Sequence, residues 1–365
     1  MRINFYRTHN LAVLLLLLFP LLSLSQVPFH RGVNLTGWFQ ARSVDRINFS
    51  KFAKKDFEDV KSLGCDVIRL PINLHFMTNG KPDYVLDSKF ISYLDQAVDW
   101  AEELNIYLIL DNHTFDPSTS TDTTVGYVLN KVWKQMAHHF KDRSKYVYYE
   151  ILNEPHGIDD AIWGAIQQQA IEAIRTEDTT HTIVVGGVEW NSYKNLKNIP
   201  VYKDHKLLYT FHFYDPFIFT HQGATWVKPS MISLSGIPFP YKRKAMPTVS
   251  ESFNGTWVEK ALKKYKKQST PQMVKQLIDI AAEFSSTRNV PVFCGEFGVY
   301  IPNSDNQDRI AWYKLVVDYL NEKKIPWTMW DYKGTFGLFN KGSKEVFEHD
   351  LNLPLVEAMN LHPPK

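Results

Sequence analysis

The sequence predicts an α/β protein whose eight strands close into one (β/α)8 barrel, and three observations lead there. Eight short apolar, β-branched or aromatic runs recur along the chain. Between them lie longer amphipathic stretches with apolar residues three or four apart, the pattern of strands alternating with helices in a parallel sheet. No Gly/Ser- or Pro-rich linker and no repeat divides residues 27 to 365. Eight strands suffice to close a barrel, whereas an open doubly wound sheet usually stops at about six and marks its first turn with Gly-x-Gly-x-x-Gly.

Ahead of the first strand, Arg2 and Arg7 precede an apolar run from Leu11 to Leu22, followed by Ser23-Leu24-Ser25. That order reads as a secretory signal peptide cut after Ser25, so a secreted or periplasmic protein is expected. The run is shorter than the ~20 residues of a membrane-spanning helix, and no span is expected in the mature chain. Residues 26 to 365 are then the catalytic barrel.

The strand-like runs are Gly32 to Phe39, Val67 to Pro71, Tyr107 to His113, Tyr148 to Pro155, Thr182 to Gly187, Leu207 to Tyr214, Pro291 to Gly298 and Pro326 to Tyr332. Helical spacing joins Ile91, Leu94, Val98, Ala101 and Leu104; it recurs at Leu129, Val132, Trp133, Met136 and Phe140, and at Ile310, Tyr313, Val317 and Leu320. The first strand continues Asn34-Leu35-Thr36-Gly37-Trp38, which lacks the dinucleotide-binding pattern. After the sixth strand, the stretch from Asp215 to Thr270 is expected as a long loop insertion on the C-terminal face, holding Phe217, Phe219, Trp226, Phe239, Tyr241 and Trp257.

Composition narrows the function classes. The chain of 365 residues is 44% hydrophobic and carries a formal charge of +2, which falls to zero once the two leader arginines are removed. No basic excess remains for a nucleic-acid partner. The lysines between Lys260 and Lys267 read as a solvated face. Cys65 and Cys294 flank apolar runs and read as two buried thiols. A monomer is expected.

Chemistry gathers where the strands end. Arg69 ends the second run, Asp111-Asn112-His113 the third, Asn153-Glu154-Pro155 the fourth, His212-Phe213-Tyr214 the sixth, Glu296 the seventh and Trp330 the eighth. Closing the barrel brings them to one mouth, and apolar strands ending in ionisable groups are costly unless those groups are paired or used. Glu154 and Glu296, 142 residues apart, form a carboxylate pair able to work on an acetal. A gap of ~5 to 5.5 Å between carboxyls serves retention and ~6.5 to 9.5 Å inversion, so both outcomes stay open at this point. Arg69 and a hydrogen bond from Tyr214 would keep one carboxyl ionised while the other holds its proton. Trp330 offers a flat face to a sugar ring. The His-x-His pair of metal-dependent barrel hydrolases is absent from the first strand, and His138-His139 lies in a helix where neighbours point apart, so no catalytic metal is expected.

Seven segments in order carry a resemblance: Gly32-Val33-Asn34-Leu35, Val67-Ile68-Arg69-Leu70-Pro71, Leu110-Asp111-Asn112-His113, Tyr149-Glu150-Ile151-Leu152-Asn153-Glu154-Pro155, Thr210-Phe211-His212-Phe213-Tyr214, Cys294-Gly295-Glu296-Phe297-Gly298 and Met329-Trp330. Together they resemble glycoside hydrolase family 5, the cellulase family of clan A. The resemblance implies a retaining hydrolase without a cofactor, with Glu154 as acid/base and Glu296 as nucleophile. It further implies that Arg69 and Tyr214 orient Glu296, Asn153 binds the sugar 2-hydroxyl, His113 and His212 line the cleft, and Trp330 stacks under the sugar on the non-reducing side. Asn112, where the family often has an aromatic or His, and the long insertion both bear on substrate preference.

The expected activity is endo-hydrolysis of a β-1,4-linked glucan, with mannan, glucomannan or xyloglucan as the alternative polysaccharide substrate. A non-catalytic glycan-binding barrel is the reading from another class; it would lack one carboxylate, and both are present. Trp38, Trp190, Trp226 and Trp257 lie in or near loops where they would stack on sugars or merely pack, while Trp100, Trp133, Trp163 and Trp312 are expected in the core.

Overall fold

The computed structural model describes residues 27–116 and 118–364; the leader expected over residues 1–25 lies outside them. Eight parallel strands form a closed barrel: β1 (Arg31–Asn34), β2 (Val67–Ile72), β3 (Tyr107–Asn112), β4 (Val147–Glu150), β5 (Thr182–Gly186), β6 (Leu207–Phe213), β7 (Val292–Phe297) and β8 (Trp327–Met329), with β8 pairing back onto β1. Each expected strand is present. Arg69, expected at the end of β2, instead sits within it, because pairing with β3 continues to Ile72.

The outer helices begin where side chains satisfy free backbone amides. Asp87 accepts from the amides of Lys89 and Phe90 at the start of Ser88–Glu103, and Asp159 and Asp305 do the same for Asp160–Arg175 and Asn306–Glu322. Thr270 caps Pro271–Arg288, whose first residue, proline, has no amide to satisfy. In Ser88–Glu103 the buried residues are Phe90, Leu94, Ala97, Val98 and Ala101, one apolar stripe against the sheet. Among the described residues no helix is long and apolar enough to cross a membrane.

Alternate residues of each strand point into the barrel. Its lower end is closed by Phe29, whose ring meets Tyr107, Tyr148 and Phe293 at centroid distances of 5.5, 5.6 and 5.5 Å. Val67, Ile109, Val184 and Leu208 complete this plug.

The insertion after β6 is more ordered than expected. A helix, Trp257–Gln268, forms within the stretch read as loop, driven by Val258 and Tyr265, which are buried while its lysines face outward. Tyr265 donates to the carbonyl of Pro238 (2.6 Å). Gln222 accepts from the amide of Ile237 and donates to the carbonyls of Phe219 and Ile237, so the insertion folds over its own buried Met231, Leu234 and Phe239. Cys65 and Cys294 are free and buried, as expected.

Candidate active site

Strand alternation brings Arg69, Asp111 and Glu150 into the barrel two residues above the lower plug. All three are buried, and Arg69 is the hub. Its Nε and Nη2 make a two-pronged pair with Glu150 (2.7 and 2.8 Å), Nη2 also reaches Asn153 Oδ1 (2.7 Å) and Asp111 (3.0 Å), and Nη1 reaches Asn34 Oδ1 (3.0 Å) and Glu296 (2.7 Å). One guanidinium thus serves three carboxylates, using the fork geometry that lysine lacks. Burial pushes Asp111 and Glu150 up to about 7 even though Arg69 pulls both down.

Glu296 reaches this hub through an irregularity. Along β7, Phe293 pairs with Thr210 and Cys294 with Phe211, but the next pair is His212 with Glu296. Gly295 is the extra residue, and it reverses the inward–outward alternation so that Glu296 faces the cavity beside His212. Glycine leaves room there: a Cβ would stand 2.7 Å from Thr210 Oγ1 and force that side chain aside.

At the mouth the two glutamates converge. Tyr214 donates to Glu296 Oε2 (2.9 Å), and His212 Nδ1 lies 2.7 Å from Glu154 Oε1 and 3.5 Å from Glu296 Oε2. One carboxyl oxygen of each glutamate lies within 4.8 Å of the other's. Burial raises both carboxyls above their ordinary range. For Glu154 the negative charge of Glu296 adds to burial and the rise is large; for Glu296, Arg69 and the Tyr214 hydroxyl oppose it. Glu296 therefore ionises first and Glu154 keeps its proton longer. Burial, then the charge of Arg69, drives His212 well below the ordinary imidazole range, so it is neutral.

The remaining expected site residues stand around this pair. His113 Nδ1 bonds Asp111 (2.7 Å), and burial lowers its imidazole to about 3. The ring of Trp330 stacks on it at 5.3 Å and 14°. Asn153 spends its oxygen on Arg69 and leaves its buried Nδ2 without a partner, a donor available to a bound hydroxyl. Asn112 is buried, spending its amide on His75 and the carbonyl of Ile151. A cavity of about 690 Å³ adjoins the site between the loops after β2, β3 and β4, bordered by Tyr84, Thr114, Phe115, Tyr127 and His156.

Asp111 and Glu150 lay within recognisable strand-end motifs but drew no role from sequence; the available signal was their spacing, two residues before His113 and four before Glu154, which keeps each on the inward face. Asn34 and His156 carried no such signal. His156 bonds the carbonyl of Glu154 through Nδ1 (2.9 Å) and stacks on Trp190 (4.7 Å, 12°). Of the loop tryptophans, Trp38 is buried against Phe39 and Phe52 and is packing, while Trp190, Trp226 and Trp257 stay substantially exposed.

Glu154, His212 and Glu296 are close enough together to suggest a cation site. Their facing atoms are already committed: Glu154 Oε1 to His212, and the two oxygens of Glu296 to Arg69 and Tyr214. Arg69 also places a fixed positive charge against Glu296, so the set is a hydrogen-bonded acid pair and not a metal centre.

The model of the cellulase family, glycosyl hydrolase family 5, matches residues 29–335. Endoglucanase 3 of Fibrobacter succinogenes is 29% identical over 346 residues, covering 88% of this chain but only 52% of that protein, so this chain spans about half its length. Endoglucanase C of Acetivibrio thermocellus is 28% identical over 339 residues, covering 90% of this chain and 98% of its own. Among solved structures, endoglucanase Cel5A of Thermotoga maritima superposes with a TM-score of 0.75 at 24% identity, covering 90% of this chain and 96% of its own, and shares the fold. With the family model matched from below β1 to beyond β8, the chain belongs to glycosyl hydrolase family 5 and is a glycoside hydrolase.

Proposed function

We propose that this enzyme is an exported endo-β-1,4-glucanase that cleaves with retention, Glu296 attacking and Glu154 serving as acid and then base. The observation that carries the reading is that one carboxyl oxygen of each glutamate lies within 4.8 Å of the other's, nearer to the ~5 to 5.5 Å carboxyl separation of retaining enzymes than to the ~6.5 to 9.5 Å of inverting ones. The glucan assignment is supported by the endoglucanase names of the relatives, and export by the leader-like residues 1–25.

In the first step an oxygen of Glu296, held by Arg69 and Tyr214, bonds to the anomeric carbon as the glycosidic C–O bond breaks. Glu154 gives its proton to the departing oxygen. Glu154 then takes a proton from water, whose oxygen displaces Glu296 and regenerates both carboxyls. Esterification of Glu296 removes its negative charge, and with it the repulsion that had raised the proton affinity of Glu154, so Glu154 serves as acid before the ester forms and as base after it.

The test is reducing-end release from carboxymethylcellulose, barley β-glucan, glucomannan, galactomannan and xyloglucan. Glu296→Gln is expected to lose about ten-thousandfold or more, and Glu154→Gln about a hundred- to ten-thousandfold with partial retention on aryl glycosides whose leaving group needs no proton. Full activity in either variant, or first-formed product of inverted configuration by NMR, overturns the mechanism. Activity on mannans alone would replace the glucan assignment.

A further inference from the structure

Gly295 opens a gap beside two polar atoms that no pairing described so far accounts for. Thr210 Oγ1 and His212 Nε2 are both buried without a hydrogen-bond partner. They border the same space: the Cβ that Gly295 lacks would stand 2.7 Å from the first and 3.3 Å from the second. On its other side His212 presents Nδ1 to Glu154 at 2.7 Å. A neutral imidazole carries one N–H and one lone pair, so whatever partners Nε2 decides what Nδ1 offers to Glu154.

We propose that Thr210 is a positioning residue: its hydroxyl donates across the gap over Gly295, through one buried water, to Nε2 of His212 and so fixes the tautomer whose Nδ1–H faces Glu154. The assignment rests on Glu154 as the acid/base. The neighbouring guanidinium and hydroxyl donors are already used. All five N–H groups of Arg69 are bonded, Tyr214 donates to Glu296, and the Thr328 hydroxyl donates to the carbonyl of Gly295 (2.6 Å). Thr210 is the hydroxyl left.

A donor on Nε2 polarises the ring and strengthens the Nδ1–H bond to the Glu154 carboxylate. It favours the ionised form that the second half of the reaction needs, without placing a charge on His212. Around the His212–Glu154 pair the charged and titratable groups are Arg69 on β2, Asp111 and His113 from β3, Glu150 on β4, Glu296 on β7 and Tyr214 beyond β6. The Thr210 hydroxyl acts against the net negative character of that set by hydrogen bonding alone.

The test combines a spectrum and a pH profile. In the wild-type enzyme labelled with ¹⁵N-histidine, His212 is expected to show a protonated Nδ1 and a bare Nε2. In Thr210→Val the alkaline limb of kcat/KM on barley β-glucan is expected to move up by about half a pH unit, since the weakened bond lets Glu154 hold its proton longer; the acidic limb stays in place. Thr210→Ser, which keeps the hydroxyl, restores the wild-type limb. A proton on Nε2 in the wild-type spectrum, superposable Val and wild-type profiles, or a Ser variant shifted as far as Val would each overturn the proposal. The spectrum decides even if Thr210→Val does not fold. Full activity in Glu154→Gln would instead remove the acid/base reading, a separate failure.

Discussion

The two ends of the barrel are built from the same strands, two residues apart, and are held by opposite physics. At the lower end Val67, Ile109, Tyr148, Leu208 and Phe293 meet Phe29 in an apolar plug, where each contact adds its own small stabilisation. One step along the alternation stand Arg69, Asp111, Glu150 and Thr210, and there a single buried cation answers several acids. The plug is a sum, so parts of it can be exchanged for others of similar volume. The hub is a balance, so removing one member strands the rest.

The most severe way to break this comparison is Arg69→Met. With its cation gone, Asp111, Glu150 and Glu296 are left buried without compensation, and a stability loss of about 3 to 5 kcal/mol is expected. Activity on barley β-glucan should fall about a thousandfold or more even in the folded fraction, because Glu296 loses the partner that keeps it ionised. Near-normal activity in a folded Arg69→Met enzyme would erase the distinction between the two ends.

Phe29→Ala probes the other end. A cavity where the plug's aromatic ring stood should cost about 3 kcal/mol in chemical denaturation, with kcat unchanged at temperatures where the protein is folded. A fall in kcat as large as the fall in stability would show that the ends are not independent.

The finest effect is a change of slope. Asp111 and Glu150 titrate near 7 in the folded chain against ordinary values of 3.8 and 4.5, so folding binds protons that unfolding releases. Their stabilising contribution is full below pH ~4 and is lost as pH climbs through ~7. Asp111→Asn removes part of that dependence. Its melting temperature, followed from pH 4 to pH 8, should decline less than that of the wild type; parallel curves would place the protons elsewhere.

The plug-and-hub arrangement was only partly legible in the sequence. Eight runs and the residues at their ends could be read directly, because period-two burial and ionisable strand ends are local patterns. Glu154, Glu296, His113, His212, Tyr214 and Trp330 all stand around one mouth for that reason. The hub was hidden: Asp111 and Glu150 look like strand-end polar residues until the barrel brings both onto Arg69, a convergence of three strands that no window of sequence contains. The Trp257–Gln268 helix was hidden differently. Five lysines between Lys260 and Lys267 mask its apolar stripe, in which Val258 and Tyr265 are buried and Ala261 and Leu262 half-buried.

Gly295 carries a consequence for how such an enzyme can change. Loops around the mouth can lengthen or shorten by degrees, and substrate preference can drift with them. The orientation of Glu296 depends instead on whether Gly295 stays out of the ladder between β6 and β7. A parity has no intermediate value: Gly295 taken into a regular ladder opposite His212 would turn the Glu296 carboxyl toward the helices and the neighbouring phenylalanine toward the barrel interior. The direction of Glu296 is therefore all or nothing, and the variation open to this scaffold runs around that residue while leaving its register fixed.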